Sequence, residues 1–133
     1  MSSNAFLSII IPVLNEADNI QKLHSEVVRV CEGEGYQFEV IIVDDGSNDG
    51  TRQVLKKLSP LTNIRLRRNF GQTAAMDCGI KYAEGELIVT MDGDGQNDPA
   101  DIPKLIQHLQ DESLDLVSGW RKHRKDSFFK IKT

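Results

Sequence analysis

The sequence is poor in the residues from which several large functional classes are built. It has two cysteines, Cys31 and Cys78, with no Cys-x-x-Cys spacing, so neither a zinc ribbon nor a disulfide framework is supported and two buried free thiols are expected. Its three histidines, His24, His108 and His123, are not spaced as a zinc pair, and no Gly-x-Ser-x-Gly elbow occurs. Hydrolytic zinc and serine chemistry therefore have no support. A Gly-x-Gly-x-x-Gly after the first strand and a Gly-x-x-x-x-Gly-Lys-Ser/Thr are both missing, which disfavours a nicotinamide dehydrogenase and a P-loop phosphotransferase. Calcium loops started at Asp45 or Asp92 fail where a glutamate should close them, because Lys56 and Pro103 stand there. No apolar stretch approaches the length of a bilayer span. The short run Phe6 to Ile11 has no basic flank before it and meets Pro12, unlike a signal peptide, so the chain as given reads as cytoplasmic.

What is present is an ordinary soluble composition, 39% hydrophobic and 27% charged over 133 residues, which suits one domain with a real core. The net charge of -4 is unevenly spread: residues 121–133 hold six Lys and Arg against Asp126 alone, leaving the first 120 residues acidic. A basic tail on an acidic body suits an anionic partner such as a diphosphate, a lipid headgroup or a membrane surface, although a solvated terminus accounts equally well for most of those lysines.

Strand and helix patterns alternate. Phe6 to Ile11, Phe38 to Val43, Ile64 to Arg67, Leu87 to Thr90 and Leu114 to Ser118 read as strands, several nearly continuous in apolar residues, as a sheet covered on both faces requires. Ala17 to Cys31, Thr51 to Leu58, Thr73 to Ala83 and Asp101 to Gln110 read as helices, the last with an acidic first turn. Such alternation implies right-handed βαβ units and a mainly parallel sheet between two helical layers. The unusual polar residues all follow strand ends: Asn15 and Glu16, Asp44 and Asp45, Asn69 to Gln72, Asp92 to Gln96, and Arg121. Ligands of open α/β sheets bind along that edge.

Within Asp92-Gly93-Asp94-Gly95-Gln96, a glycine between two carboxylates lets both turn toward one point, with the Gln96 oxygen on the same side. Hard oxygen ligands so placed suit Mg2+ or Mn2+. Taken alone the stretch is as easily a turn; the four other polar loops on the same edge favour a metal-assisted anion site.

Five ordered segments carry a family resemblance. Pro12-Val13-Leu14-Asn15-Glu16, Val43-Asp44-Asp45-Gly46-Ser47-Asn48-Asp49-Gly50-Thr51, Arg68-Asn69-Phe70-Gly71-Gln72, Asp92 to Gln96 and Gly119-Trp120-Arg121-Lys122-His123-Arg124-Lys125-Asp126 resemble the motifs of family 2 glycosyltransferases of the GT-A fold. The last two are most similar to the polyprenyl-phosphate sugar transferases, the group of dolichyl-phosphate mannose synthase and its undecaprenyl-phosphate relatives. The resemblance implies a Rossmann-like three-layer α/β sandwich and an inverting, metal-assisted transfer of a hexose from a UDP- or GDP-linked sugar to a polyprenyl phosphate. It implies that Pro12, Asn15, Glu16, Asp44, Asp45, Gly71, Gln72 and Asp92 border the nucleotide, with Asp44 as the first acceptor for the base. By the same resemblance Asp92, Asp94 and Gln96 hold the cation, Asp94 and Arg121 act at the reacting diphosphate, and Arg121 and Arg124 clamp phosphate oxygens, to which a guanidinium fork is suited. Ser47 or Asp49 would cap the helix that follows. No nucleic acid is implied.

Family members generally continue past the Arg-x-x-Arg-x-Asp segment into an acceptor-facing region. Residues 1–120 are thus expected to form a donor-binding core, and 121–133 the basic start of an acceptor or membrane-proximal region, with Phe128-Phe129 opening an amphipathic interfacial helix. The expectation is a donor-binding fragment whose full-length form works at the cytoplasmic face of a membrane. Alternatives are a processive polysaccharide synthase of the same family, a non-catalytic nucleotide-sugar binding module, and a phosphoacceptor signalling domain; the last needs its acidic pair after the first strand, where Asn15 and Glu16 stand instead.

Overall fold

A computed structural model describes residues 5–94, 97–111, 116–120 and 127–132, with side chains up to residue 108. Four strands, β1 (Phe6–Val13), β2 (Gln37–Asp44), β3 (Thr62–Arg65) and β4 (Leu87–Thr90), alternate with helices α1 (Ile20–Gly33), α2 (Thr51–Leu55) and α3 (Gln72–Tyr82). A single 3-10 turn, Pro99–Asp101, leads into α4 (Ile102–Asp111), and β5 (Leu116–Trp120) and β6 (Ser127–Lys132) follow. All six strands form one sheet in the order β3-β2-β1-β4-β6-β5. β1 to β4 run parallel, β6 is antiparallel to β4, and β5 is antiparallel to β6. The mainly parallel sheet expected from the alternation is therefore present.

The period of two along each strand sorts its side chains between two cores. Ile9, Ile11 and Val13 of β1, with Val40 and Ile42 of β2 and Val89 of β4, meet Ile20, Leu23 and Val27 of α1, Leu55 of α2 and Ile102 of α4. On the opposite face Ile10, Ile41, Val43 and Ile88 pack with Ala75 of α3. Both faces are covered, which is why the central strands read as continuous apolar runs. Each fully buried Ile or Leu contributes about 1.5–3 kcal/mol of transfer free energy, and seven of the largest fully buried side chains lie on strands.

Three details differ from the sequence reading. β1 runs through Pro12, which pairs in register with Val43. Ile10 accepts from Met91 N–H on the β4 side, so Pro12, two residues on, turns its missing donor toward the same side, past the last β4 pair at Ile10. A proline is harmless there. Asp101, expected in the first turn of α4, lies ahead of it and ends the 3-10 turn, which Asp98 caps by accepting from Ala100 N–H at 3.0 Å. Finally, Phe128 and Phe129 do not open a helix but lie in β6, which pairs with both β4 and β5. The sequence Phe129-Lys130-Ile131-Lys132 alternates with period two, and β4 offers an unpaired backbone edge that a strand can complete and a single helical turn cannot.

Among the described residues no helix is long and apolar enough to cross a membrane. Cys31 is fully buried on α1, and burial, followed by the neighbouring Glu32, pushes its thiol up to about 12. Cys78 is partly accessible. Since the thiolate is the nucleophile, a maleimide or iodoacetamide at neutral pH should modify Cys78 and leave Cys31 untouched until the protein is unfolded. Mass spectrometry of the labelled peptides reads this directly, and rapid native labelling of Cys31 would contradict the packing of α1.

Candidate functional site

In a parallel sheet every strand ends on the same edge, and the chain leaves β1 toward β2 on one side but places β4 on the other. The resulting switch point lies between β1 and β4. A cleft of about 600 Å3 opens there. Its wall combines Pro12 and Val13 at the end of β1, and Leu14 and Glu16 just beyond it, with Asp45 after β2. Asn69 and Gly71 come from the loop after β3, Gln72 from the start of α3, and Asp92, Gly93 and Asp94 from the turn after β4. Four side chains of this lining are carboxylates, and none of the lining is Lys or Arg among the described residues.

Close approach of the loops depends on two glycines. A Cβ on Gly93 would lie 2.6 Å from Val13 Cγ1 and 3.2 Å from the Pro12 carbonyl oxygen, so only glycine lets the Asp92–Asp94 turn seat against the end of β1. Gly46 has φ +82°, and a Cβ there would meet the Arg68 carbonyl carbon and Asn69 nitrogen at 2.7 Å, which brings the loops after β2 and β3 together.

The paired aspartates after β2 divide their work. Asp45 accepts from Phe70 N–H at 2.8 Å and Gly71 N–H at 3.0 Å, fixing the loop that opens α3. Asp44 is 1% exposed and does not line the cleft; it accepts from Ser47 N–H at 2.8 Å and from the Arg65 guanidinium at 2.8 Å. The base acceptor expected at Asp44 is thus a buried ion-pair partner, and of the two aspartates Asp45, itself 3% exposed, is the one that lines the cleft. Asn15 departs from expectation in the same way. With φ +55°, tolerable for asparagine, it accepts from Asn48 N–H at 2.9 Å while its own N–H donates to Ser47 Oγ at 2.8 Å. It braces the loops after β1 and β2 and is not part of the cleft wall. Ser47, so engaged, does not cap α2. Asp49 instead accepts from Thr51 N–H at 2.8 Å, one residue ahead of the N-cap Gly50, and the Thr51 hydroxyl, the main cause, holds its carboxyl below the usual range.

Glu16 stands at the start of α1, where its backbone N–H donates to Thr51 Oγ1 at 2.9 Å and its carboxylate accepts from Asn19 Nδ2 at 3.0 Å. Asp92 is reached across the cleft by Gln72, whose Nε2 donates to Oδ1 at 2.7 Å. Its backbone N–H donates to Asn97 Oδ1 at 2.6 Å. Asn97 is 2% exposed, and its Nδ2 has no hydrogen-bond partner among the described residues. Sequence reasoning passed over Asn97 and Arg65. The signal for Asn97 was a loop asparagine a few residues beyond an acidic turn, where amide side chains commonly bond backbone groups; Arg65 looked like an ordinary strand residue.

Of the residues expected to bind, the structure brings together Pro12, Glu16, Asp45, Gly71, Gln72, Asp92 and Asp94. Gln96, Arg121 and Arg124 lie outside the described residues. No cluster of three or more His, Cys, Asp and Glu residues able to hold a metal occurs among the described residues. Two cleft carboxylates at the end of β4 nevertheless fit a cation of the Mg2+ type, which takes one or two carboxylates and completes its shell with phosphate oxygens and water.

The sequence matches the profile of glycosyl transferase family 2 over residues 8–133. It is 45% identical over 128 residues to a dodecaprenyl-phosphate galacturonate synthase of Rhizobium johnstonii, covering 92% of this chain and 38% of that relative. It is 36% identical over 130 residues to an undecaprenyl-phosphate 4-deoxy-4-formamido-L-arabinose transferase of Edwardsiella ictaluri, covering 94% of this chain and 40% of the relative. The chain thus spans about two fifths of the length of these curated relatives. Among solved structures, the fold is shared with a mannosyltransferase from Pyrobaculum calidifontis in complex with GDP-Man and Mn2+, at TM-score 0.81 and 20% identity over 97% of this chain and 45% of that one. A glucosyl-3-phosphoglycerate synthase from Mycobacterium tuberculosis aligns at TM-score 0.78 and 18% identity over 96% and 57% of the two chains.

Proposed function

The chain belongs to glycosyl transferase family 2, and from that premise we propose that it is the donor-binding part of an inverting enzyme that moves a sugar, read as a hexose, from a nucleoside diphosphate to a polyprenyl phosphate. The observation that carries this reading is the cleft at the sheet's switch point, where Asp92 and Asp94 face a wall that also holds Asp45 and Glu16 and supplies no described Lys or Arg. A diphosphate entering such a wall meets repulsion unless a divalent cation accompanies it. Asp92 and Asp94 would hold that cation, with Gln96 as a further oxygen. Bound there, Mg2+ or Mn2+ would neutralise the nucleoside diphosphate as the leaving group. Pro12, Glu16, Asp45, Gly71 and Gln72 would border the nucleotide, and Arg121 and Arg124 would supply the positive charge that the described wall lacks.

The same reading is compatible with a wall that, among the described residues, holds no serine, cysteine or histidine. A phosphate monoester has its second pKa near ~6 and is largely dianionic at neutral pH, so it attacks the anomeric carbon without a protein base. A hydroxyl acceptor would need one. The two curated relatives named above are both polyprenyl-phosphate sugar transferases, which supports the lipid acceptor over the polysaccharide chain of a processive synthase. In the full-length protein such an acceptor implies work at a membrane surface, on its cytoplasmic face.

Calorimetric titration of GDP and UDP in Mn2+ and in chelator tests the proposal. One of the two nucleotides should bind in Mn2+ and lose most of its affinity in chelator. Asp94→Ala should weaken Mn2+-supported binding by roughly 100-fold, about 2.8 kcal/mol, while the chain keeps its melting temperature. Equal affinity with and without the metal would remove the cation from the site.

A further inference from the structure

We propose that Asn97 is a positioning residue for the cation site, an inference that rests on the metal-assisted reading of Asp92 and Asp94. Its side chain reaches back five positions to accept the Asp92 backbone N–H at 2.6 Å. The Asp92 carboxylate is separately held by Gln72 Nε2 at 2.7 Å, and the next residue, Gly93, is seated against Val13 and the Pro12 carbonyl. Backbone, carboxylate and following residue are each held by a different neighbour, and Asp94 follows directly in the same turn.

The chemistry of position 97 explains why an amide is used. Asn97 is 2% exposed and its Nδ2 has no hydrogen-bond partner among the described residues. A buried amide with an unmet donor is worse than an apolar side chain of the same shape unless its oxygen is required, and here the oxygen ends on a backbone N–H of the acidic turn. An aspartate would supply the same acceptor but would add a buried carboxylate to a small hollow whose wall already holds Glu26, Asp94 and Asp98 against Lys22 alone, which a site of this exposure disfavours. Serine is too short to span the turn, and leucine cannot accept. The neutral amide oxygen is thus the group that fixes the turn without competing with Asp92 and Asp94 for the cation. Outer partners of ligating groups typically change metal affinity by about 10–100-fold when removed.

The test compares wild type with Asn97→Leu and Asn97→Ser by titrating the nucleoside diphosphate that the wild-type chain binds, in Mn2+ and in chelator, with far-UV circular dichroism as the check of folding. The quantity read is the ratio of the two affinities. Both variants should lower the ratio by roughly 10-fold or more while binding in chelator stays within about threefold of wild type. If leucine at this position prevents folding, the serine variant carries the measurement. A ratio equal to that of wild type overturns the inference and leaves the metal site standing. An equal loss in Mn2+ and in chelator assigns Asn97 a purely structural role and also overturns it. A wild-type chain that gains nothing from Mn2+ removes the metal reading, and this inference falls with it.

Discussion

Replacing Arg65 with alanine should destabilise the domain by about 3 kcal/mol, the lower end of what is lost when one partner of a buried ion pair is removed. The lower end applies because the Arg65 side chain is 36% exposed while that of Asp44 is 1% exposed, so water can replace part of what Asp44 loses on one side only. The asymmetry predicts an unusual ordering of variants. Asp44→Asn keeps an oxygen for Ser47 N–H and leaves a cation that can reach solvent, so it should cost less than Arg65→Ala. Adding Asp44→Asn to Arg65→Ala should restore stability, because it removes the charge stranded in the core. Urea denaturation midpoints of the three variants measure this, and a double variant as unstable as the sum of the singles would show that the pair is not the origin of the loss. Nucleoside diphosphate affinity should be nearly unchanged in Asp44→Asn if Asp45, and not Asp44, faces the ligand.

The pair Asp44-Asp45 shows where sequence reading stops. Strand alternation, the polar residues at each strand end and their convergence on one edge were all legible, because side-chain period and βαβ handedness leave few alternatives. Which of two adjacent carboxylates faces the cleft was not, because it depends on Arg65, 21 residues later in the sequence and neighbour to Asp44 only through the pairing of β2 with β3. Asn15 was read as a ligand for a similar reason: its partners Ser47 and Asn48 belong to another loop. Residues 127–132 illustrate the converse error. Their local pattern suits either a short amphipathic turn or a strand, and the open edge of β4, a non-local feature, decides for the strand. Errors of this sort concentrate where a residue's partner is distant in sequence; Asp92 and Asp94, which belong to one short loop, both line the cleft.

The 133-residue chain by itself should bind the donor nucleotide and yet transfer sugar to lipid at a negligible rate. The described cleft residues lie at or beyond the ends of β1 to β4, those with a proposed role serve the nucleotide or its cation, and the chain covers 38% and 40% of relatives whose names specify the lipid acceptor. Transfer demands that the acceptor phosphate be held in line behind the anomeric carbon, and orientation of this kind supplies about 7–11 kcal/mol of barrier lowering. A basic segment can concentrate a lipid phosphate without fixing its approach, and attraction alone gives back little of that term. Slow hydrolysis of the nucleotide sugar by water is compatible with the same site, since departure of the diphosphate depends on the cation and not on the acceptor. The measurement incubates the chain with UDP- and GDP-linked sugars, Mn2+ and a short polyprenyl phosphate in detergent, with the full-length Rhizobium johnstonii relative as positive control and calorimetry confirming donor binding. Lipid-linked sugar formed at a rate near that of the control would place an acceptor site within these 133 residues and overturn the division of labour argued here. Donor binding with nucleotide-sugar hydrolysis but no glycolipid is the expected result, because the residues that activate the leaving group are then present and those that aim the nucleophile are not.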